Sequence, residues 1–169
     1  MTQVGTSSGV VYRSSGQGDA LWAMGSLMES KLGPSDGDPP FGLMEVTQPP
    51  GVATPLHVHH QESEAFFMLD GSITYEAAGE RFDLVTGDFL YLPKDVAHRF
   101  RIIGDRPARF LALMAPAGLS DLYAEVGHPA EERRLPPPPT EAAIAEEIGR
   151  WNQVAPRYGL EVLGPPLPV

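Results

Sequence analysis

The chain has no cysteine among its 169 residues. Disulfides, thiolate-held zinc and cysteine nucleophiles are therefore excluded. Compartment stays open on that count, because a cysteine-free chain can fold anywhere. No apolar run approaches the ~20 residues that a membrane-spanning helix needs. The stretch from Met1 to Gly9 is polar and lacks the apolar segment of a secretory signal, so a cytoplasmic location is expected. Basic residues are scarce: 12 Lys and Arg stand against 22 Asp and Glu, for a formal net charge of -10. Such a surface repels phosphate backbones and anionic lipid, which argues against nucleic-acid and membrane partners. Its general effect is solubility.

Against these absences, hydrophobic residues make up 42% of the chain and charged residues 20%, an ordinary balance for a globular protein. The length suits one domain with a full core. Glycine and proline number 18 each and fall as punctuation between short apolar runs, the texture of an all-β sandwich or barrel. Early strands are expected at Val10 to Tyr12 and Leu21 to Met28. Further strands are expected at Phe41 to Gln48, Pro55 to His59, Glu64 to Leu69, Ser72 to Glu76, Arg81 to Leu84, Phe89 to Leu92, His98 to Ile103 and Arg109 to Met114. Asp70-Gly71 between two β-like runs predicts a hairpin.

After Pro116 the texture changes. Leu119 to Val126 reads as a short amphipathic helix with Ser120 and Asp121 at its start. Pro136 to Pro139 forms a stiff extended linker. Thr140 is placed to cap a second helix from Glu141 to about Val154, with Pro156 and Gly159 to stop it. The tail from Leu163 to Val169 is expected to run over the barrel surface. The expected organisation is a barrel with its N-terminal strands over residues 1–116, and a helical extension packed on it over 117–169.

Three of only five histidines lie within four positions, His57, His59 and His60. On a strand, His57 and His59 point to one face. Glu64 and His98 each open a later strand, and a barrel can bring all three strand starts together. Three neutral imidazoles and one carboxylate suit Fe, Mn, Ni, Co, Cu or Zn as a divalent ion. They do not suit Ca or Mg, which prefer oxygen ligands. Four protein ligands leave one or two octahedral positions open to a substrate or dioxygen.

These residues sit in two motifs. The first reads Gly51, five residues, His57-Val58-His59, four residues, Glu64, six residues, Gly71. The second reads Gly87, five residues, Pro93-Lys94-Asp95, two residues, His98, three residues, Ile102. Both resemble the motifs of the cupin superfamily, with Asp95 in place of a glycine and Ile102 in place of an asparagine. Asp tolerates a left-handed turn, so the departure at Asp95 leaves the turn possible. The resemblance implies a double-stranded β-helix, or jelly-roll, barrel with a C-terminal helical extension, and one divalent metal held by His57, His59, Glu64 and His98. More narrowly, the chain is similar to small single-barrel cupins related to bacterial quercetin 2,3-dioxygenases. In flavonol dioxygenases the ligand glutamate also takes the proton of the substrate hydroxyl, a catalytic role that would fall to Glu64. Homodimers are common among cupins, so a homodimer is expected on the same ground. A metal-dependent dioxygenase acting on a small, aromatic compound is the leading expectation. A non-catalytic module that binds a small molecule, or an isomerase or epimerase, are its alternatives.

Parity sorts the neighbours. Phe66 and Met68 share parity with Glu64, and Phe100 and Ile102 with His98, so these four are expected to line a substrate pocket, plain barrel core being the other reading. His60 has opposite parity and should face solvent or a partner behind the ligands. Glu62 reads as a solvated acid in a turn, with contact to His57 or His59 as the other reading. Arg99 and Arg101 should point outward, and His128, Glu146 and Glu147 should be surface groups. Leu119, Leu122 and Val126 should pack the first helix on the barrel or on a second subunit, and Trp151 could anchor the second.

Overall fold

The computed structural model describes residues 9–169. Strands β1 (Ala20–Ala23) and β2 (Ser26–Leu32) come first, followed by β3 (Gly42–Gln48), β4 (Pro55–His59) and β5 (Ser63–Asp70). Then come β6 (Ser72–Ala77), β7 (Glu80–Val85), β8 (Phe89–Leu92), β9 (His98–Ile103) and β10 (Ala108–Ala115). Helix α1 (Leu119–Val126), the two-residue strand β11 (His128–Pro129), α2 (Glu141–Val154) and β12 (Leu160–Pro166) complete the chain.

Two antiparallel sheets form a jelly-roll barrel. One runs β11-β1-β2-β3-β10-β5-β8, the other β12-β4-β9-β6-β7. Alternation drives this arrangement: β3 and β10 bury every second residue, and their inward side chains Met44, Val46, Phe110, Ala112 and Met114 meet Phe66, Tyr75 and Phe100 in one core. Among the described residues no helix is long and apolar enough to cross a membrane.

Asp70-Gly71 is not a hairpin. Strand β5 pairs with β10 and β8, whereas β6 pairs with β7 and β9, so the chain turns a corner from one sheet to the other. Gly71 has φ 80°, and a Cβ there would stand 2.7 Å from Ala108 Cα and 2.9 Å from the Pro107 carbonyl oxygen. The corner therefore needs glycine for its handedness and for its closeness to β10. The two-residue hairpins lie elsewhere. Met24-Gly25 joins β1 to β2 and Ala78-Gly79 joins β6 to β7, with positive φ at all four residues, as the right-handed twist of the strands favours. The single early strand expected over Leu21 to Met28 is thus two strands, and within the expected Val10 to Tyr12 strand Val11 makes an isolated bridge.

The C-terminal part is not only helical. Strand β12 adds to the outer edge of β4, with Leu160 opposite His59 and Val162 opposite His57. Arg99 and Arg101, outward on β9, hold it there: Arg99 donates to the Pro165 carbonyl (3.1 Å) and Arg101 to that of Leu167 (2.8 Å). Helix α1 buries Leu119, Leu122 and Val126 against the barrel. Helix α2 starts at Thr140, whose hydroxyl accepts from Ala143 N–H at 3.2 Å, and leans on α1 through Trp151, whose ring lies 5.8 Å from that of Tyr123.

Candidate metal centre and cavity

Three backbone segments deliver the cluster. Strand β4 presents His57 and His59 on one face, β5 presents Glu64, and His98 opens β9 directly opposite His57. The turn before β9 places Asp95 at φ 65°, the left-handed conformation that an aspartate tolerates. All four side chains are buried, and their candidate ligand atoms lie within 4.8 Å of one another.

The hydrogen bonds around the cluster orient it. His57 Nδ1 donates to the Pro55 carbonyl at 2.7 Å and His98 Nδ1 to that of Val96 at 2.9 Å. Each bond fixes the tautomer that leaves Nε2 free to bind an ion. Glu64 Oε2 lies 3.1 Å from His98 Nε2 and 3.3 Å from His59 Nε2, yet it has no hydrogen bond, and neither does His59 Nδ1. A buried carboxylate oxygen left without a donor amid converging imidazoles fits a divalent cation at their centre.

The electrostatics agree with that fit. Burial alone would raise Glu64, but His59, His98 and His57 outweigh it and hold the carboxyl down at about 2. Burial, with His98 and His59 nearby, lowers His57 to about 4. Burial also lowers His59, partly offset by Glu64. At His98 burial is overcome by Glu64, and the imidazole is raised. Near neutral pH the cluster thus offers a charged carboxylate and at least two neutral imidazoles, the states that metal ligation requires.

Around this centre opens a cavity of about 400 Å³. Its wall is mostly apolar, with Met28, Met44, Phe66, Phe100 and Phe110 from the barrel and Ile148 and Trp151 from α2. Of the four expected pocket residues, Phe66 and Phe100 lie on this wall. Met68 and Ile102 are fully buried in the core and do not reach it. Strand parity sets which face a side chain takes but not its depth along the barrel.

The outward groups are His60, with Asp95 at 2.7 Å and Glu161 at 3.1 Å, and His128, which accepts from Arg150 at 2.9 Å. Glu147, expected to be solvated, instead accepts from Met24 N–H at 2.5 Å and so ties α2 to the β1–β2 turn. Glu62 is the larger correction. It is 2% exposed rather than solvated, and its Oε2 has no partner. Burial and the neighbouring Glu64 push it up to about 7. Gly118, at the start of α1, lies against it; a Cβ there would stand 3.6 Å from Glu62 Oε1. The covering helix starts at Leu119, far along the chain from Glu62, so no local pattern announced the burial.

Residues 44–114 match the family model of the cupin domain. The chain belongs to the cupin superfamily. It is 30% identical to quercetin 2,3-dioxygenase of Bacillus subtilis strain 168 over 115 residues, which are 68% of this chain and 34% of that enzyme. The chain therefore spans about a third of that dioxygenase's length. Solved cupin structures share the fold. A predicted oxalate decarboxylase from Thermotoga maritima aligns with TM-score 0.55 and 21% identity, over 63% of this chain and 99% of that one. An RmlC-like cupin from Shewanella frigidimarina aligns with TM-score 0.53 and 15% identity, over 64% and 93%. At those identities the likeness speaks to the fold alone.

Proposed function

We propose that this cupin binds one divalent transition-metal ion through His57, His59, Glu64 and His98 and acts as a dioxygenase on a small, flat, aromatic compound of the flavonol kind. The observation that carries the reading is the union of two features: a buried three-histidine, one-carboxylate cluster, and a largely apolar cavity that opens directly onto it. The identity to the Bacillus dioxygenase supports the same class of substrate. A bound divalent ion would supply Lewis-acid and redox chemistry to a substrate oxygen and to dioxygen.

The protein's own groups do the rest. Phe66, Phe100 and Phe110 form an aromatic wall on which a planar ring can stack. Glu64, held ionised by the imidazoles, would take the proton of a substrate hydroxyl as general base on leaving the metal. Trp151 and Ile148 of α2 shield the cavity from bulk water. A homodimer belongs to the same proposal. Its support is the outward pair Phe67 and Phe89, cross-strand neighbours on β5 and β8, beside Tyr91, all exposed.

Oxygen uptake by protein loaded with Fe, Mn, Ni or Co, across a panel of flavonols and catechols, tests the activity. The expected result is uptake matched mole for mole by loss of substrate. Recovery of an isomer without oxygen use, or no turnover with any metal, would overturn it.

A further inference from the structure

Among the polar side chains on the cavity wall that the proposed chemistry does not use, Gln48 stands out. Gln48 ends β3, is 4% exposed and stands on the cavity wall, yet its Oε1 accepts no hydrogen bond from any described residue. A buried carboxamide oxygen without a donor costs about 1–3 kcal/mol, so an apolar cavity that keeps one has a use for it. Other polar side chains on the wall away from the metal cluster are committed or wet. Thr54 Oγ1 already accepts from Phe100 N–H at 3.0 Å, and Asn152 is solvent-exposed on α2.

The sheet register shows how far Gln48 stands from the metal cluster. Gln48 is opposite Ala108 on β10, and Glu64 is opposite Met114 on the same strand. That is six residues along one strand, so the two groups sit at different levels of the barrel. Between them the wall is made of Met28, Met44, Phe66 and Phe110. Apart from Thr54 and Tyr123, the wall offers mostly apolar side chains to the middle of a ligand.

We infer that Gln48 is a ligand-recognition residue. Its Oε1 accepts a hydrogen bond from a hydroxyl or amine at the far end of an elongated, flat, mostly apolar molecule whose other end reaches the metal cluster. The inference rests on the function proposed above and deepens it by fixing the substrate class: a compound with a donor remote from its metal-binding oxygens. A site that offers a buried acceptor discriminates strongly against an analogue without the donor, because the acceptor is then left unpaired.

The test uses Zn-loaded full-length protein, in which redox turnover is absent, and two probes. 3-Hydroxyflavone and 3,4′-dihydroxyflavone carry the same metal-binding oxygens and differ by one remote hydroxyl. Fluorescence titration is expected to show the dihydroxy compound binding ~10-fold tighter. In Gln48→Leu that preference is expected to vanish while 3-hydroxyflavone binds as well as before. A preference that survives in Gln48→Leu overturns the inference.

A second measurement does not depend on either probe. Because no described residue donates to Oε1, Gln48→Leu and Gln48→Met are expected to keep or raise the melting temperature. A clear fall in both would show that the carboxamide serves the fold, and would also overturn the inference. Failure of both flavones to bind the parent protein counts against the flavonol reading, and the melting temperatures then decide the role of Gln48.

Discussion

Glu62 and Glu64 are two residues apart and lie in opposite electrostatic settings. Three imidazoles surround Glu64 and keep it ionised, whereas Glu62 is buried beside it with no cation to balance a charge. Glu62 is held near 7 in the folded chain against an ordinary 4.5. Between those values the folded state binds a proton that the unfolded state has released. Stability of the metal-free protein is therefore expected to be highest below about 4.5 with respect to this group, and to fall as pH rises towards 7. Glu62→Gln should remove that fall. Urea unfolding of chelator-treated protein at several pH values checks it, and parallel pH profiles for parent and variant would contradict it. A second contrast concerns adjacent histidines. His59 faces the cluster and His60 faces Asp95 and Glu161. His59→Ala is expected to weaken Zn binding by at least ~10-fold, and His60→Ala to leave it within about twofold. Competition titration against a chelator measures both, and equal losses would show that strand parity does not select the ligands.

At the scale of elements, Gly71 carries the passage from β5 to β6. Gly71→Ala would force a positive φ on a residue with a Cβ and drive that carbon into the backbone of β10. A loss of about 2–4 kcal/mol is expected, since the contact is with backbone that cannot move aside. Gly79→Ala is a useful control. It too has φ 80°, but a Cβ there meets nothing within 4 Å, so only the conformational part of about 1 kcal/mol is expected. Equal losses in chemical unfolding would show that close approach plays no part. The same pair explains what was legible in the sequence. Turn chemistry at Asp70-Gly71 was readable, but a turn signal does not say whether the next strand pairs with the last or crosses to the facing sheet. That choice depends on long-range pairing with β10 and β9. Both helices were legible, α1 from its apolar spacing and α2 from its Thr140 cap, because caps and periodicity are local. Strand β12 was hidden by Gly164, Pro165 and Pro166. Prolines are admitted there because β12 is an edge strand, whose outer side needs no donors. The cluster of His57, His59, Glu64 and His98 was legible because its spacing is short within β4 and β5 and a second, different motif precedes His98. Gln48 and Glu62 were not, since only the packed cavity reveals a polar atom without a partner.

On the scale of the whole molecule, the C-terminal segment closes both the sheet and the cavity. Strand β12 covers the outer edge of the strand that bears His57 and His59, and its Leu160 and Val162 join Trp151 on the cavity wall. The ladder to β4, the two arginine straps and the burial of Leu160 and Leu167 hold it in place. Each buried leucine contributes about 1.5–3 kcal/mol. On the other side β9 pairs with β4 at His57 and His98, the segment just before β4 is tied to β9 by the Ala53–Arg101 bridge and by Thr54 N–H to the Phe100 carbonyl (3.0 Å), and Asp95 N–H donates to the His59 carbonyl (2.8 Å). Without β12, β4 would be an edge strand held from the β9 side alone, and edge strands fray more readily. Ending the chain at Tyr158 is thus expected to leave the rest of the barrel folded while His57 and His59 lose their fixed positions. Release of bound Zn to a chelator in excess should quicken by ~10-fold or more, with the far-UV signal of the remaining strands largely retained. Arg101→Ala cuts one strap only and is expected to give a smaller acceleration in the same direction. Were the shortened chain to release metal at the parent rate, β4 would be shown to hold its histidines through β9 alone, and the C-terminal strand would matter to the cavity and not to the ion.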